Sequence, residues 1–201
     1  MKTAIRTFII LVSINSIVLS MSTEGTNIGF VMEKNKGAFS ISSSLSITPQ
    51  KPSSDTEIGQ FQYIHGALLL PSGIEFSFGN SLEDDDEYTY LGASYYIKDK
   101  NYTIGINNRF HYNANLKYDK KPREFGASFS YKISKQAFTP YLKYSLRQYG
   151  SGQNLKLLTL GGFTSVSQMI FSFSYTMPMG ADQGFYNGKG EIAVNLGVFL
   201  N

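Results

Sequence analysis

The stretch from Arg109 to Glu124 reads RFHYNANLKYDKKPRE, and in it a histidine, His111, is followed by a carboxylate, Glu124. An imidazole that takes a nucleophile's proton and a carboxylate that orients the ring are two parts of a triad. The third part, a nucleophile, is missing, because no Ser lies within the segment. His65 is the one other histidine and the chain has no Cys, so the usual nitrogen and sulfur ligands of a structural metal are scarce. No metal and no other cofactor is expected. The acidic run Glu83 to Glu87 lacks the alternating ligands and glycine of a calcium loop and reads as a solvated loop. The pieces GSG and NGKG have no phosphate-cradle spacing. Asn101-Tyr102-Thr103 matches a glycosylation sequon but sits in a tight turn.

The remaining chemistry-bearing residues stand inside alternating segments. Glu75, Arg109, His111, Lys132, Lys143, Arg147, Glu191 and Asn195 all fall on the side of their segment that otherwise carries small polar residues. Carboxylates such as Glu75 and Glu191 are expected to meet Arg109, Arg147 or Lys143 in one polar network. Lys132 and Glu191 also suit solvated positions at a rim. Such a network needs neighbouring elements that all turn one face to a shared interior.

Those elements are strands. Two-faced alternation, the period of a β-strand, runs through Phe39 to Thr48, Gly73 to Gly79, Tyr102 to Tyr112, Phe125 to Ile133, Phe138 to Arg147, Met169 to Met177 and Glu191 to Leu200. Less regular segments bounded by turn residues lie at Ile58 to Leu70, Glu87 to Lys98 and Asn154 to Phe163. The count is about ten, with eight and twelve as the neighbouring even numbers. Hairpin-sized links at 71–73, 98–101, 134–136 and 164–167 alternate with longer polar ones at 49–56, 79–87, 113–123, 150–154 and 178–190. Short turns on one rim and long loops on the other is the plan of an outer-membrane barrel, and an even count leaves both termini on the short-turn side. Residues 23 to 36 read as a periplasmic tail or an extra strand at NIGFVM.

Bulk composition agrees. Only 16% of the residues are charged, against about 25% in ordinary soluble domains, so much of the surface is expected to do without charge. The net charge of +3 comes without a long basic run, which argues against a nucleic-acid partner. Lys2 and Arg6, an apolar stretch around FIILVSINSIVL, and Ser20 and Ser22 have the order of a secretory signal peptide, residues 1–22, ahead of one barrel domain, 23–201. No later window approaches the roughly 18 apolar residues of a spanning helix.

The two faces decide the solvent. One carries Gly and Ser, as at Gly126, Ser128, Ser130, Ser172 and Ser174; the other carries Phe, Ile and Tyr, as at Phe125, Phe129, Ile133, Phe171, Phe173 and Tyr175. A soluble barrel would coat its polar face with long charged side chains. Here that face is small enough to line a narrow interior, and the aromatic face suits lipid. Closure is required, since an open edge would leave amides unsatisfied in hydrocarbon.

In this pattern the chain resembles the small bacterial outer-membrane β-barrel superfamily, which includes the membrane domain of outer-membrane protein A. The resemblance implies a closed antiparallel up-and-down transmembrane barrel in the outer membrane of a Gram-negative bacterium. Outer-membrane lipids and the barrel-insertion machinery would be its partners, and its long loops would reach an extracellular partner. In such barrels the last strand commonly ends on an aromatic residue; here Phe199 stands two residues before Asn201. The segment 109–124 also resembles the active-site strand of lipid A deacylase barrels, which implies base and orienting roles for His111 and Glu124, although Asn113 departs from that pattern. The expected role is non-enzymatic, structural or surface-interacting, with a largely filled polar lumen around Glu75, Arg109, His111, Lys143, Arg147 and Glu191. A narrow porin-like channel, a lipid-modifying enzyme, and a soluble exported barrel holding an apolar ligand are the alternatives.

Overall fold

The computed structural model describes residues 28–49, 58–82, 88–113, 123–133, 138–148, 154–179 and 190–200. The expected signal peptide and the acidic run Glu83 to Glu87 lie outside them. A helical turn, α1 (Ile28–Val31), precedes ten strands: β1 (Ala38–Pro49), β2 (Ile58–Leu69), β3 (Ile74–Ser81), β4 (Tyr88–Lys98), β5 (Tyr102–Asn113), β6 (Arg123–Tyr131), β7 (Thr139–Gln148), β8 (Asn154–Val166), β9 (Met169–Met179) and β10 (Glu191–Leu200). Each strand pairs antiparallel with its sequence neighbours, and β1 pairs with β10, so the sheet closes into an up-and-down barrel. Closure removes the free edges that an open sheet would offer. None of the helices among the described residues is long and apolar enough to cross a membrane, which says nothing of strands.

The hairpins at Pro71–Gly73, Asp99–Asn101 and Ser167–Gln168 share one rim with α1 and the end of β10. The β2–β3 turn depends on Gly73, whose φ is +88° and whose Cβ, if present, would lie 2.6 Å from the Tyr96 carbonyl oxygen. Only glycine meets both demands without strain.

The period of two sorts the side chains by face. In β6, Phe125, Ala127, Phe129 and Tyr131 are exposed while Glu124 and Ser130 are buried. The same sorting exposes Ile41, Ile64, Phe76, Leu91, Ile106, Leu142, Leu160 and Phe173 and buries Ser40, Ser42, Ser44, Ser172 and Ser174. Leu91 at 54% and Ile106 at 57% exposure are far from the ordinary state of apolar side chains in a soluble core. The apolar belt is outside and the polar side chains are inside.

At the short-turn end the interior is apolar. Ile28, Phe30 and Met32 pack with Leu69, Tyr96, Tyr141, Phe163, Ile170 and Phe199. Residues 28–36 therefore form neither an extra strand nor a free tail. The alternation of Ile28, Phe30 and Met32 resembles a strand, but the closed sheet leaves no edge to pair with. A helical turn, closed by Met32 N–H donating to the Ile28 carbonyl at 3.0 Å, buries the apolar side chains in the mouth instead.

Candidate functional site

Above the apolar end the interior is polar, with hydrogen-bonded groups on several strands. On β1 the Ser44 hydroxyl lies 2.5 Å from His65 Nε2 of β2. The other ring nitrogen, His65 Nδ1, is 2.9 Å from the Tyr90 hydroxyl of β4. The Arg109 guanidinium of β5 stands over the Tyr90 ring, 4.9 Å from its centroid, a cation–π arrangement. His111, two residues along the same strand face, lies 6.2 Å from that ring, centroid to centroid.

His111 also neighbours Glu124. His111 Nε2 is 3.3 Å from Glu124 Oε2. Lys143 Nζ donates to Oε1 at 2.9 Å, and Arg147 donates to Oε2 through Nε at 3.2 Å and Nη2 at 2.9 Å. Sheet register brings these groups together. Glu124 is opposite Arg109 on β5 and opposite Arg147 on β7, and its side chain shares their inward face. All of these side chains are buried, with Glu124 only 1% exposed. On the far wall Thr159 and Thr176 hydroxyls lie 2.9 Å apart, and Asn195 Nδ2 donates to the Ser172 hydroxyl at 3.0 Å.

A second carboxylate sits lower. Glu75 of β3 accepts from the Gly29 backbone N–H at 3.0 Å through Oε2 and from the Tyr96 hydroxyl at 3.3 Å through Oε1. It thereby joins α1 to the wall. Gly29 is obligatory in that position, because a Cβ there would lie 2.1 Å from the Tyr96 ring. Lys98 Nζ donates to the Met32 carbonyl and fastens the other end of the same segment. Phe30 completes the seat, 5.4 Å from the Tyr96 ring, 5.6 Å from Tyr141 and 6.0 Å from Phe163.

Glu75, Arg109, His111, Lys143, Arg147 and Glu191 are thus all buried inside the barrel. Lys143 and Arg147 converge on Glu124, while Glu75 serves α1. Glu191 is 6% exposed, against a solvated rim position, whereas Lys132 lies exposed beyond the end of β6. Glu124 as the hub, and the tyrosines Tyr63, Tyr90, Tyr96 and Tyr141 as interior groups, were not expected. Parity would have found them, since Tyr90 and Tyr96 share their strand face with Ser94 and not with Leu91.

Chemically the cluster is one carboxylate balanced by two fixed cations and an imidazole. His111 and Glu124 do meet, but the ring is fully buried and the carboxylate is already bound by Lys143 and Arg147. Among the described residues no group of three His, Asp or Glu side chains is arranged to hold a metal ion.

No protein-family profile matches the chain, and no curated protein does. Similar solved structures include two forms of OmpT, an outer membrane protein of Vibrio cholerae. The loop L8 deletion mutant is 10% identical, with 78% of this chain and 62% of that one covered and a TM-score of 0.35. The in-vitro folded trimer form is 8% identical, with 78% and 64% covered and a TM-score of 0.34. The chain spans less than two thirds of the length of either.

Proposed function

We propose that this protein is an outer-membrane β-barrel of structural or surface-interacting role, with a filled interior and no catalytic activity. The observation that carries the reading is the inversion of the barrel. A closed wall with an exposed apolar outer face and a buried polar inner one is stable where the solvent is hydrocarbon. Strands of 8 to 13 residues accord with this, since a tilted spanning strand takes roughly 9 to 11. In water the same outer face would be a continuous aggregation surface.

The filled interior supports a role other than solute passage. Tyr90, Arg109, His111, Glu124, Lys143 and Arg147 are buried inward on four consecutive strands, with Lys143 and Arg147 bonded to Glu124 and His111 and Arg109 packed beside Tyr90, as side chains fill narrow barrels. On this reading the long polar links of the sequence would meet an extracellular partner, while the apolar belt meets lipid and the insertion machinery receives the unfolded chain.

Membrane fractionation tests the reading directly. The protein is expected in the outer-membrane fraction, with gel migration that changes on boiling. Recovery from the soluble periplasm would refute it. In planar bilayers the folded protein is expected to add no steady conductance, and openings altered by Arg109→Ala or Arg147→Ala would favour a pore.

A further inference from the structure

Beside α1, the short-turn mouth of the barrel contains a recess of about 500 Å³. One wall is the segment 30–34, and the other is built from the β4–β5 hairpin and the adjoining ends of β6, β7 and β8. That volume lies within the range of small-ligand sites, roughly 300–1,000 Å³. Four ammonium groups border it: Lys34, Lys98, Lys100 and Lys132. They come from three separate pieces of chain, so the grouping is a product of the fold and not of a basic run.

Two carboxylates share the rim, Glu33 and Asp99. Glu33 is engaged by Lys36 at 2.9 Å, and the hydrogen bond and charge of that lysine hold its carboxyl below the usual range. The recess keeps an excess of positive charge. Deeper in, Thr103 and Ser130 sit opposite each other on β5 and β6, both buried, and present hydroxyls on the wall. Lys98 is tied to the Met32 carbonyl, which fixes its ammonium group against the recess. Ammonium groups at the mouth and hydroxyls below match the acceptors of a phosphate group, for which lysine serves as a point charge.

We propose that this recess binds a phosphate group presented from the short-turn side, carried either by the headgroup of an anionic phospholipid or by a soluble phosphate ester. The two sources share one chemistry and differ in how the ligand arrives. A lipid headgroup reaches the mouth from the surrounding leaflet, and an ester arrives from water.

The test uses the full chain, isotope-labelled and folded in zwitterionic micelles, titrated with inorganic phosphate while amide NMR signals of residues 98–103 and 130–132 are followed. A parallel sample in phosphatidylcholine nanodiscs is compared with one containing phosphatidylglycerol. Saturable shifts are expected. The Lys100→Gln/Lys132→Gln double variant should weaken the apparent affinity about tenfold or more, roughly 1.4 kcal/mol, and Lys156→Gln on the opposite rim should leave it unchanged. Boiled and unboiled gel migration reports whether the double variant still closes. If it does not, Lys34→Gln, which lies outside the strands, takes its place with a smaller loss expected. Saturation by phosphate in micelles assigns a soluble ester, and a response confined to phosphatidylglycerol assigns the lipid. No saturable response to either probe, or an undiminished one in the lysine variant that folds, overturns the proposal.

Discussion

Glu124 and Arg147 face each other across the β6–β7 ladder, and the guanidinium directs two N–H groups, at 3.2 and 2.9 Å, onto one oxygen of the carboxylate. Lys143 holds the other oxygen at 2.9 Å. The carboxylate accepts from both cations, so its charge compensates two buried positive charges at once.

Glu124→Gln is therefore expected to be more damaging than loss of either cation alone. Removing one partner of a buried ion pair costs about 3–5 kcal/mol, because the remaining charge is left uncompensated. The urea midpoint of the protein in lipid vesicles should fall accordingly. Replacing all three, as Glu124→Leu/Lys143→Met/Arg147→Met, should recover most of the loss, since apolar groups of similar size often substitute for buried ions at little cost. A triple variant as weak as Glu124→Gln would show that the charges do more than compensate each other.

The two faces of β5 and β6 should respond oppositely to substitution. Ile106 is 57% exposed near the middle of β5, and Ile106→Lys is expected to cost about 2–4 kcal/mol in lipid. Phe129→Lys should impair assembly by a similar mechanism, less severely as its position nears the rim. Ser128, half-buried on the inner face with its hydroxyl donating to the Gly105 carbonyl at 3.3 Å, should tolerate Thr better. Folding yield into vesicles measures all three, and the reverse ranking would mean that the belt does not face lipid.

The seat of α1 should be separable from the barrel. Gly29→Val cannot fit beside the Tyr96 ring, and Phe30→Ala removes a buried aromatic side chain, a change that costs about 3–5 kcal/mol in a packed core. Both should release residues 28–36 to protease and speed their amide exchange, while exchange in β5 to β9 stays slow. Equal acceleration throughout would make α1 a keystone of the whole fold.

His65→Ala removes the link between Ser44 and Tyr90. A buried hydroxyl left without its partner costs about 1–3 kcal/mol. His65→Gln, which retains a donor and an acceptor, should lose less than His65→Ala in the same urea measurement. Equal losses would indicate that packing, and not hydrogen bonding, is what His65 contributes.

How far these relationships were legible in the chain depends on their distance scale. Strands such as β6 and β9 are written in their own alternation, and their faces follow once charge is seen to avoid the aromatic side. Interior partners are a different matter. Glu124 stands at the start of its strand, and its meeting with Lys143 and Arg147 follows from register between strands, which the alternation of one strand does not encode. The tyrosines were obscured by residue type, since Tyr90 and Tyr95 look alike and only their parity separates lumen from belt. Ile28, Phe30 and Met32 misled because their alternation is genuine; what it buries is the barrel mouth, a surface that exists only after the strands have closed.

The seam between β1 and β10 has a kinetic consequence. It joins Phe39 to Leu200 and Ile47 to Ile192, nearly the longest separation along the chain that the molecule contains. Such ladders form late, because most of the intervening chain must be ordered before they are rewarded. Until then both outer strands carry bare amides, and in hydrocarbon no intermediate of that kind is tolerable. If the barrel assembles in lipid, as proposed above, its seam must close in one concerted step, or both edges must stay covered until β10 pairs with β1.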